Sequence, residues 1–409
     1  MAVTPTQTDY DLVQMNSRNS KIKVEVLNFD FQTISSLEGK TTSGSIEVDA
    51  NADIRRTCNL SLVARDIEEN MVIEGGELWL DKYIKIYQGI DNPRNNNNTV
   101  WWDMGIFLIN NPNTVYSAAD HTITFEGLDL MAKLTGRRNG QLPAVATLVP
   151  AGSKIADVVQ KTITQLGGFQ KYIIEDRGLE IPYDIKMDMG STVYDLLAEI
   201  RDLYSNWEMF FDVDGVFHWQ RIPNGTKEAV VVNFDELKQK LIISESVDID
   251  FENVKNNIII YGRLLDTGEQ VTAISSDTNL DSPFAVSRIG QINYIVDDEN
   301  IYNNELAKDR ADYELYLHAR LNDSISLEIV PIPWLNDVNL KISYTNEKIG
   351  IKGEYLIQTL SIPLGVGDNM TLTASKIYEE KEEFKTYTFE YLYTGNNYSS
   401  LQTQFPYLY

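Results

Sequence analysis

The sequence predicts a mainly β protein in which two similar small β-units flank an α+β insert. Three observations lead there. Trp334 to Ile377 is an alternating, turn-broken stretch; a degraded copy of it runs from Trp79 to Leu128; and beyond Gly136 the apolar period changes from two to a helical one.

In the later copy Trp334-Leu335 leads into the alternating Val338, Leu340, Ile342 and Tyr344, and the earlier copy reads WLDKYIKIY. A glycine then opens a bulky strand, GEYLIQTLSI from Gly353 and GIFLIN from Gly105, closed by Pro363 and Pro112. Fifteen positions after each glycine stands an aspartate, Asp368 and Asp120, opening DNMTLTA and DHTITFE. Upstream lie SISLEIV and CNLSLVA. Alternation bounded by Gly, Pro, Asn and Asp is how half-buried antiparallel strands read. The Trp-Leu pair, the Gly-to-Asp spacing and the order of turns agree together, which favours a true duplication over two meanders alike by chance. Superposition is expected to align Gly105 with Gly353 and Asp120 with Asp368.

In chain order, residues 1–19 are polar and without period, an arm expected to order only against a partner. Residues 20–136 form the first β-unit, starting with KIKVEVLNFDFQ and adding GSIEVDA and CNLSLVARD. About six strands suffice for a small barrel or a compact sandwich. Residues 137–243 are the α+β domain. There Ser153 is placed to cap a helix carrying Ile155, Val158, Val159, Ile163 and Leu166, and a second helix opens at Ser191. A hairpin turns at Asp214-Gly215. Residues 244–376 form the second β-unit, which includes the buried run Ile258 to Tyr261, an excursion at 265–320, and a helix near 303–320 with Leu306, Arg310, Tyr313 and Leu317 on one stripe. Residues 377–409 are a tail rich in aromatics, suited to a contact with another chain.

Composition narrows the chemistry. At 409 residues the chain can bury a sizeable core without staples. Sixty acids against 35 bases give a formal net charge of -25, so the chain as a whole should repel a phosphate backbone. The single cysteine, Cys58, lies in an alternating run and reads as a buried thiol rather than a nucleophile. His121, His218 and His318 stand on different elements with no ligand spacing. Asp212, Asp214 and Gly215 resemble the start of a calcium loop, but Pro223 occupies the place of its closing Glu, so they read as a hairpin turn. Asp297, Asp298 and Glu299 precede a helix and suit its dipole. No nucleophile elbow, phosphate loop or Cys-x-x-Cys occurs, and the sequence assigns no catalytic, cofactor or metal residue. Trp101 and Trp102, beside the Asn-rich loop at 95–99, raise the alternative of a receptor- or carbohydrate-binding protein, yet neighbours on a strand point to opposite faces. A cell-wall hydrolase comes third. No apolar leader or membrane span is read, so a soluble chain starting at or near Met1 is expected.

The stretches IRRTCNLSLVARD, WLDKYIKIY, NVKNNIIIYG and GEYLIQTLSIPLGVGDNMTLTASKI, in that order over residues 20–377, resemble the tail hub family of bacteriophages and related contractile injection machines. The resemblance implies a homotrimer with two tail-tube-like β-barrels per subunit and an α+β domain between them. Two barrels in each of three chains make a pseudo-six-fold ring. Such a ring mates a hexameric tail tube with a three-fold spike or tail tip, among other baseplate proteins, in the virion tail after assembly in host cytoplasm. Tape-measure protein or DNA passes through without specific binding, and an acidic wall would limit adhesion. Many relatives carry long C-terminal extensions; here about thirty residues follow the second meander, so lytic or receptor-binding activity is expected in another protein.

Overall fold

The computed structural model describes residues 5–377 apart from 38–40, 64–71, 73, 77, 117–120, 144–146, 205–206, 224, 238–240, 265–268, 299–300, 302–303, 321 and 366. Asp120 and the aromatic tail at 378–409 therefore lie outside the described residues.

The chain begins with helix α1 (Gln7–Val13) and the strands β1 (Ser20–Leu27), β2 (Thr33–Ser36), β3 (Thr41–Asp49), β4 (Arg56–Val63), β5 (Tyr83–Asn92), β6 (Asn98–Tyr116) and β7 (His121–Leu128). The insert holds β8 (Thr147–Val149), α2 (Ile155–Lys161), β9 (Tyr172–Ile174), β10 (Ile185–Met187), α3 (Val193–Asp202), β11 (Trp207–Phe211) and β12 (Phe217–Arg221). There follow β13 (Val230–Asn233), the one-turn α4 (Phe234–Leu237), β14 (Ile242–Asp250), β15 (Asn257–Arg263), β16 (Gln270–Ser276), the one-turn α5 (Val286–Ile289), β17 (Asn293–Asp297) and α6 (Asn304–His318). The chain closes with β18 (Asn322–Ile329), β19 (Lys341–Asn346), β20 (Ile351–Pro363) and β21 (Met370–Lys376).

Thirteen strands form one sheet in the order β14-β18-β21-β20-β3-β4-β7-β6-β5-β1-β2, with β19 also on β20 and β13 on β19. The protein is mainly β, as its alternation requires. In β4 the side chains of Arg56, Cys58, Leu60 and Leu62 are buried while those between them are not. The ladder runs open from β14 to β2, and among the described residues no hydrogen-bonded ring of strands closes a barrel.

Within that sheet the repeat is visible as topology. The order β3-β4-β7-β6-β5 recurs as β14-β18-β21-β20-β19. Gly105 sits opposite Ile86 and Gly353 opposite Tyr344, and both glycines hold positive φ, 138° and 132°. Ile109 opposite Gly127 matches Ile357 opposite Ala374. From there the Gly-to-Asp spacing misleads by one residue. It would equate buried Ile123 with exposed Thr371, whereas pairing equates Phe125 with Leu372. The Trp-Leu landmark also diverges: Trp334 and Leu335 are fully buried, while Leu80 is 65% exposed.

Both copies share one core, to which Val24, Ile46, Phe107 and Phe125 come from the first and Ile325, Ile342, Tyr355 and Leu372 from the second. The insert packs its own core of Val159, Leu196, Leu197, Phe211, Phe217 and Trp219. A third, smaller core lies between α6 and a separate sheet, β16-β15-β17.

Several expectations need correction. Residues 7–13 are not an unstructured arm: Thr6 and Asp9 form a capping box, Leu12 and Val13 are buried, and Tyr10 meets Trp334 edge-on at 5.2 Å. The run Ile258 to Tyr261 belongs to the small sheet and not to the second β-unit's ladder, and β13 leaves the insert to pair with β19. Ser153 spends its hydroxyl on Pro150 O, and α2 starts after Lys154 without a side-chain cap; α3 is capped by Thr192 rather than Ser191. Helix α6 packs through Ala307 and Ala311, small enough for close approach to its sheet.

Candidate functional site

The most elaborate polar site is a buried junction where the first copy, the insert and the second copy meet. The tight turn before β4 delivers Arg55 and Arg56 inward, where their side chains are only 4% and 1% exposed. Arg55 pairs with Glu208 of β11 and lies 3.7 Å over the Phe210 ring. Glu208 also accepts from Gln220 at 2.9 Å and from Asn339 of the second copy at 2.8 Å. Arg56 reaches Asp337 at 3.3 Å and donates to the Asn336 carbonyl at 2.8 Å. Asn336 in turn donates to the Asp103 carbonyl at 2.7 Å. Beneath them Asp129 accepts from the backbone N–H groups of Arg56 and Met131, at 3.0 and 2.8 Å. Burial pushes its carboxyl up to about 6, against the downward pull of those bonds. Gly105 makes room for this network, since a Cβ there would stand 2.8 Å from Arg56 Cδ. Such an arrangement positions three packing units against one another.

A second feature is the outward face of the large sheet. Across β14, β18, β21, β20 and β3 it forms a groove of about 600 Å³ lined by Ser, Thr, Glu and Asp together with Val48, Leu327, Leu360 and Leu372 and, among the described residues, by no Lys or Arg. Its hydroxyls and acids are cross-linked: Thr359 and Thr373 at 2.6 Å, Ser361 to Glu47 at 2.7 Å, Ser244 to Glu328 at 2.8 Å. Hydrogen bonds from Asn369 and Ser244 hold the Glu328 carboxyl below its ordinary range. Farther along the same face, on β1 and β5, lysines do occur, each held by an acid: Lys21 on Asp91 at 3.0 Å, Lys23 on Glu25 and Lys85 on Asp103 at 2.8 Å.

Of the residues singled out in the sequence, the structure joins His218 to the Asp212–Asp214 turn and leaves His318, Cys58 and the Trp101–Trp102 pair apart from it. His218 is buried and bonded to Asp212 at 2.9 Å, and Asp212 also accepts from the Asp214 and Val216 N–H groups, closing a hairpin turn. His318 pairs with Glu314 one turn back on α6. Cys58 is fully buried beside Gly127, and burial pushes its thiol well up. Trp102 is buried beside Trp334, while Trp101 lies on the opposite face, 5.2 Å from the Lys23 ammonium. Among the described residues no three His, Cys, Asp or Glu side chains cluster as metal ligands, and no helix is long and apolar enough to cross a membrane. The Arg55–Glu208–Asp337 junction was missed in the sequence. Its one local signal is the adjacent Arg55-Arg56 pair at the start of a strand.

Comparison with known proteins places this geometry. A family described as a domain of unknown function, DUF5048, matches residues 281–380. No curated protein matches the chain in sequence. Among solved structures, the 43 kDa tail protein of prophage MuSo2 from Shewanella oneidensis is similar over 87% of this chain and 98% of its own, at 13% identity and a TM-score of 0.58. The tail protein from Neisseria meningitidis MC58 is similar over 87% and 96%, at 12% identity and a TM-score of 0.59. A chain of the Francisella PdpA–VgrG complex is similar over 90% of this chain and 60% of its own, at 9% identity and a TM-score of 0.55. The resemblance read from the sequence holds at the level of structure: this chain has the fold of phage tail proteins and of a VgrG complex.

Proposed function

We propose that the chain is a structural hub of a phage tail or related injection machine, located in the virion tail and without catalysis of its own. In this reading it is a homotrimer whose two β-units per subunit, each completed as a tube-like barrel in the assembly, form a pseudo-six-fold ring. The ring joins a hexameric tail tube to a three-fold spike or tail tip, with the α+β insert, β8 to β12, between the two β-units in sequence. The carrying observation is the repeated strand order, β3-β4-β7-β6-β5 and β14-β18-β21-β20-β19, within one chain. A chain holding two equivalent units needs three-fold symmetry to present six. The groove without cationic lining supports its use as the wall of the channel, past which DNA or tape-measure protein moves without sticking. Light scattering on the purified chain, alone and with its tube and spike partners, tests the reading. A trimer is expected, and a chain that stays monomeric with both partners present refutes it.

A further inference from the structure

The chain makes one joint between its two copies and, among the described residues, leaves the matching joint open. Within the chain the end of β20 pairs antiparallel with β3, Ser361 opposite Glu47 and Ile362 opposite Ile46. That joint is sealed, with Ile46, Val48, Leu360 and Ile362 each at most 2% exposed.

The repeat says where the second joint belongs. Leu60 faces Phe125 as Leu327 faces Leu372, so β4 maps onto β18. Ile46 on Cys58 then maps onto Val247 on Ile325, which carries Glu47 to Asp248 and Val48 to Ile249. On the other side Ser361 opposite Thr371 maps onto Asn113 opposite Thr124. Among the described residues β14 has a neighbour on its β18 side alone, and residues 111–115 of β6 are exposed throughout. Ile249 is 45% exposed where Val48 is 1%, and Val115 is 45% exposed where its counterpart Pro363 is buried.

We propose that β14 of one copy pairs antiparallel with residues 111–115 of a second copy of this chain, Asn113 opposite Asp248 and Thr114 opposite Val247. The inference deepens the hub reading and rests on it. Because the two halves differ, the contact is head-to-tail, the kind that closes into a ring. Chemistry matches as well: Ser361 donates to Glu47 at 2.7 Å inside the chain, and the Asn113 amide can donate to Asp248 in the same place. Residues 111–115 carry no charge, so the acids of β14 meet no carboxylate. Pro112 supplies no N–H, and the ladder is carried from Asn113 onward.

A disulfide decides it. The Leu364 N–H bonds to Gly44 O at 2.8 Å, so by alternation Ser361 and Glu47 form a non-hydrogen-bonded pair, the closer spacing that a cross-strand disulfide accepts. The full chain carrying Asn113→Cys and Asp248→Cys, both at exposed positions, is oxidised and run on a non-reducing gel. A ladder ending at a covalent trimer and lost on reduction is expected. Each single variant should stay at monomer mass, and Asn113→Cys with Ser244→Cys, out of register, should cross-link several-fold less. A trimer by light scattering that never cross-links through 113 and 248 overturns the pairing and leaves the hub reading standing. A folded monomer even with tube and spike partners, its β14 edge bare or covered by its own residues 378–409, overturns both. Ile249→Asp serves as the second variant: with wild-type circular dichroism it should lose the trimer, and a folded Ile249→Asp trimer counts against the proposal.

Discussion

Replacing Glu208 by Ala would break the junction that locks the insert between the two copies. Arg55, with a side chain 4% exposed, would keep Asp337 at 4.0 Å and the Phe210 ring at 3.7 Å, while losing its main partner. Removing one member of a buried ion pair costs about 3–5 kcal/mol, and the two remaining contacts place this case at the lower end. Glu208→Gln keeps one oxygen as acceptor for Asn339, turns an amide NH2 toward Gln220, whose own amide can flip to accept it, and loses the charge; about 1–2 kcal/mol is expected. Combining Arg55→Met with Glu208→Gln removes both charges and leaves that acceptor, so the double variant should return to within about 1 kcal/mol of wild type. Urea unfolding gives the cycle, with fluorescence of Trp207 and Trp219, a tilted ring pair 5.9 Å apart in the insert, as a local probe. A Glu208→Ala cost below about 1 kcal/mol, or strict additivity in the double variant, would refute the view that this charge is held by its partner.

Other perturbations test the packing of the repeat. Gly127→Ala puts a Cβ 2.4 Å from Cys58 Sγ and 3.0 Å from Phe107 Cβ; a loss of about 1–3 kcal/mol is expected, part of it recovered by adding Cys58→Ala, and an unchanged melting temperature contradicts the close packing. Gly105→Ala and Gly353→Ala impose similar backbone strain, φ being 138° and 132°, but only the first drives a Cβ into Arg56 Cδ, while the second finds Lys376 Cε at 3.9 Å. Gly105→Ala should therefore be the more destabilising by about 1–2 kcal/mol in thermal melts. Asp129 has its folded-state pKa raised to about 6 by burial, above an unfolded value near 3.8. The folded chain thus holds this proton more tightly, so the stability that the group contributes falls as pH rises from about 4 through about 6. Melting curves of Asp129→Asn across that window should lack this component, and a pH profile parallel to wild type would show that Asp129 does not titrate there.

Several strands of this protein were legible because they keep a period of two over a face that the common core buries. β4 is the clearest case, its inward Arg56, Cys58, Leu60 and Leu62 alternating without a break. Gly105 and Gly353 were legible as equivalents because a positive φ in a bulky strand demands glycine. Asp120 and Asp368 misled because strand irregularities change residue counts without changing composition: the register breaks between Asn110 and Asn113 on β6, and between Ile357 and Thr359 on β20. Helix α1 was hidden by its brevity, leaving only the Thr6–Asp9 box as a sign. The charged junction was out of reach for another reason. Arg55 finds Glu208 153 residues away, and in a chain with 60 acids no local pattern marks one carboxylate as a partner.

The two ends of the large sheet are treated differently. At one end β2 is four residues long, three of them exposed and two of them serines, an edge too short and polar to recruit a neighbour. At the other end β14 offers nine residues, with neither Lys nor Pro to blunt it and with Ile243, Ile249 and Phe251 exposed in or just beyond it. Exposed edges of that length invite aggregation unless something covers them. Inside the chain the equivalent edge, β3, is covered by the end of β20. A duplication that covers one such edge internally leaves its counterpart with the same shape and, among the described residues, no internal partner. Under the head-to-tail joint, each added chain contributes one covered β14 edge and one open one, until a third chain closes the ring and no β14 edge is left exposed.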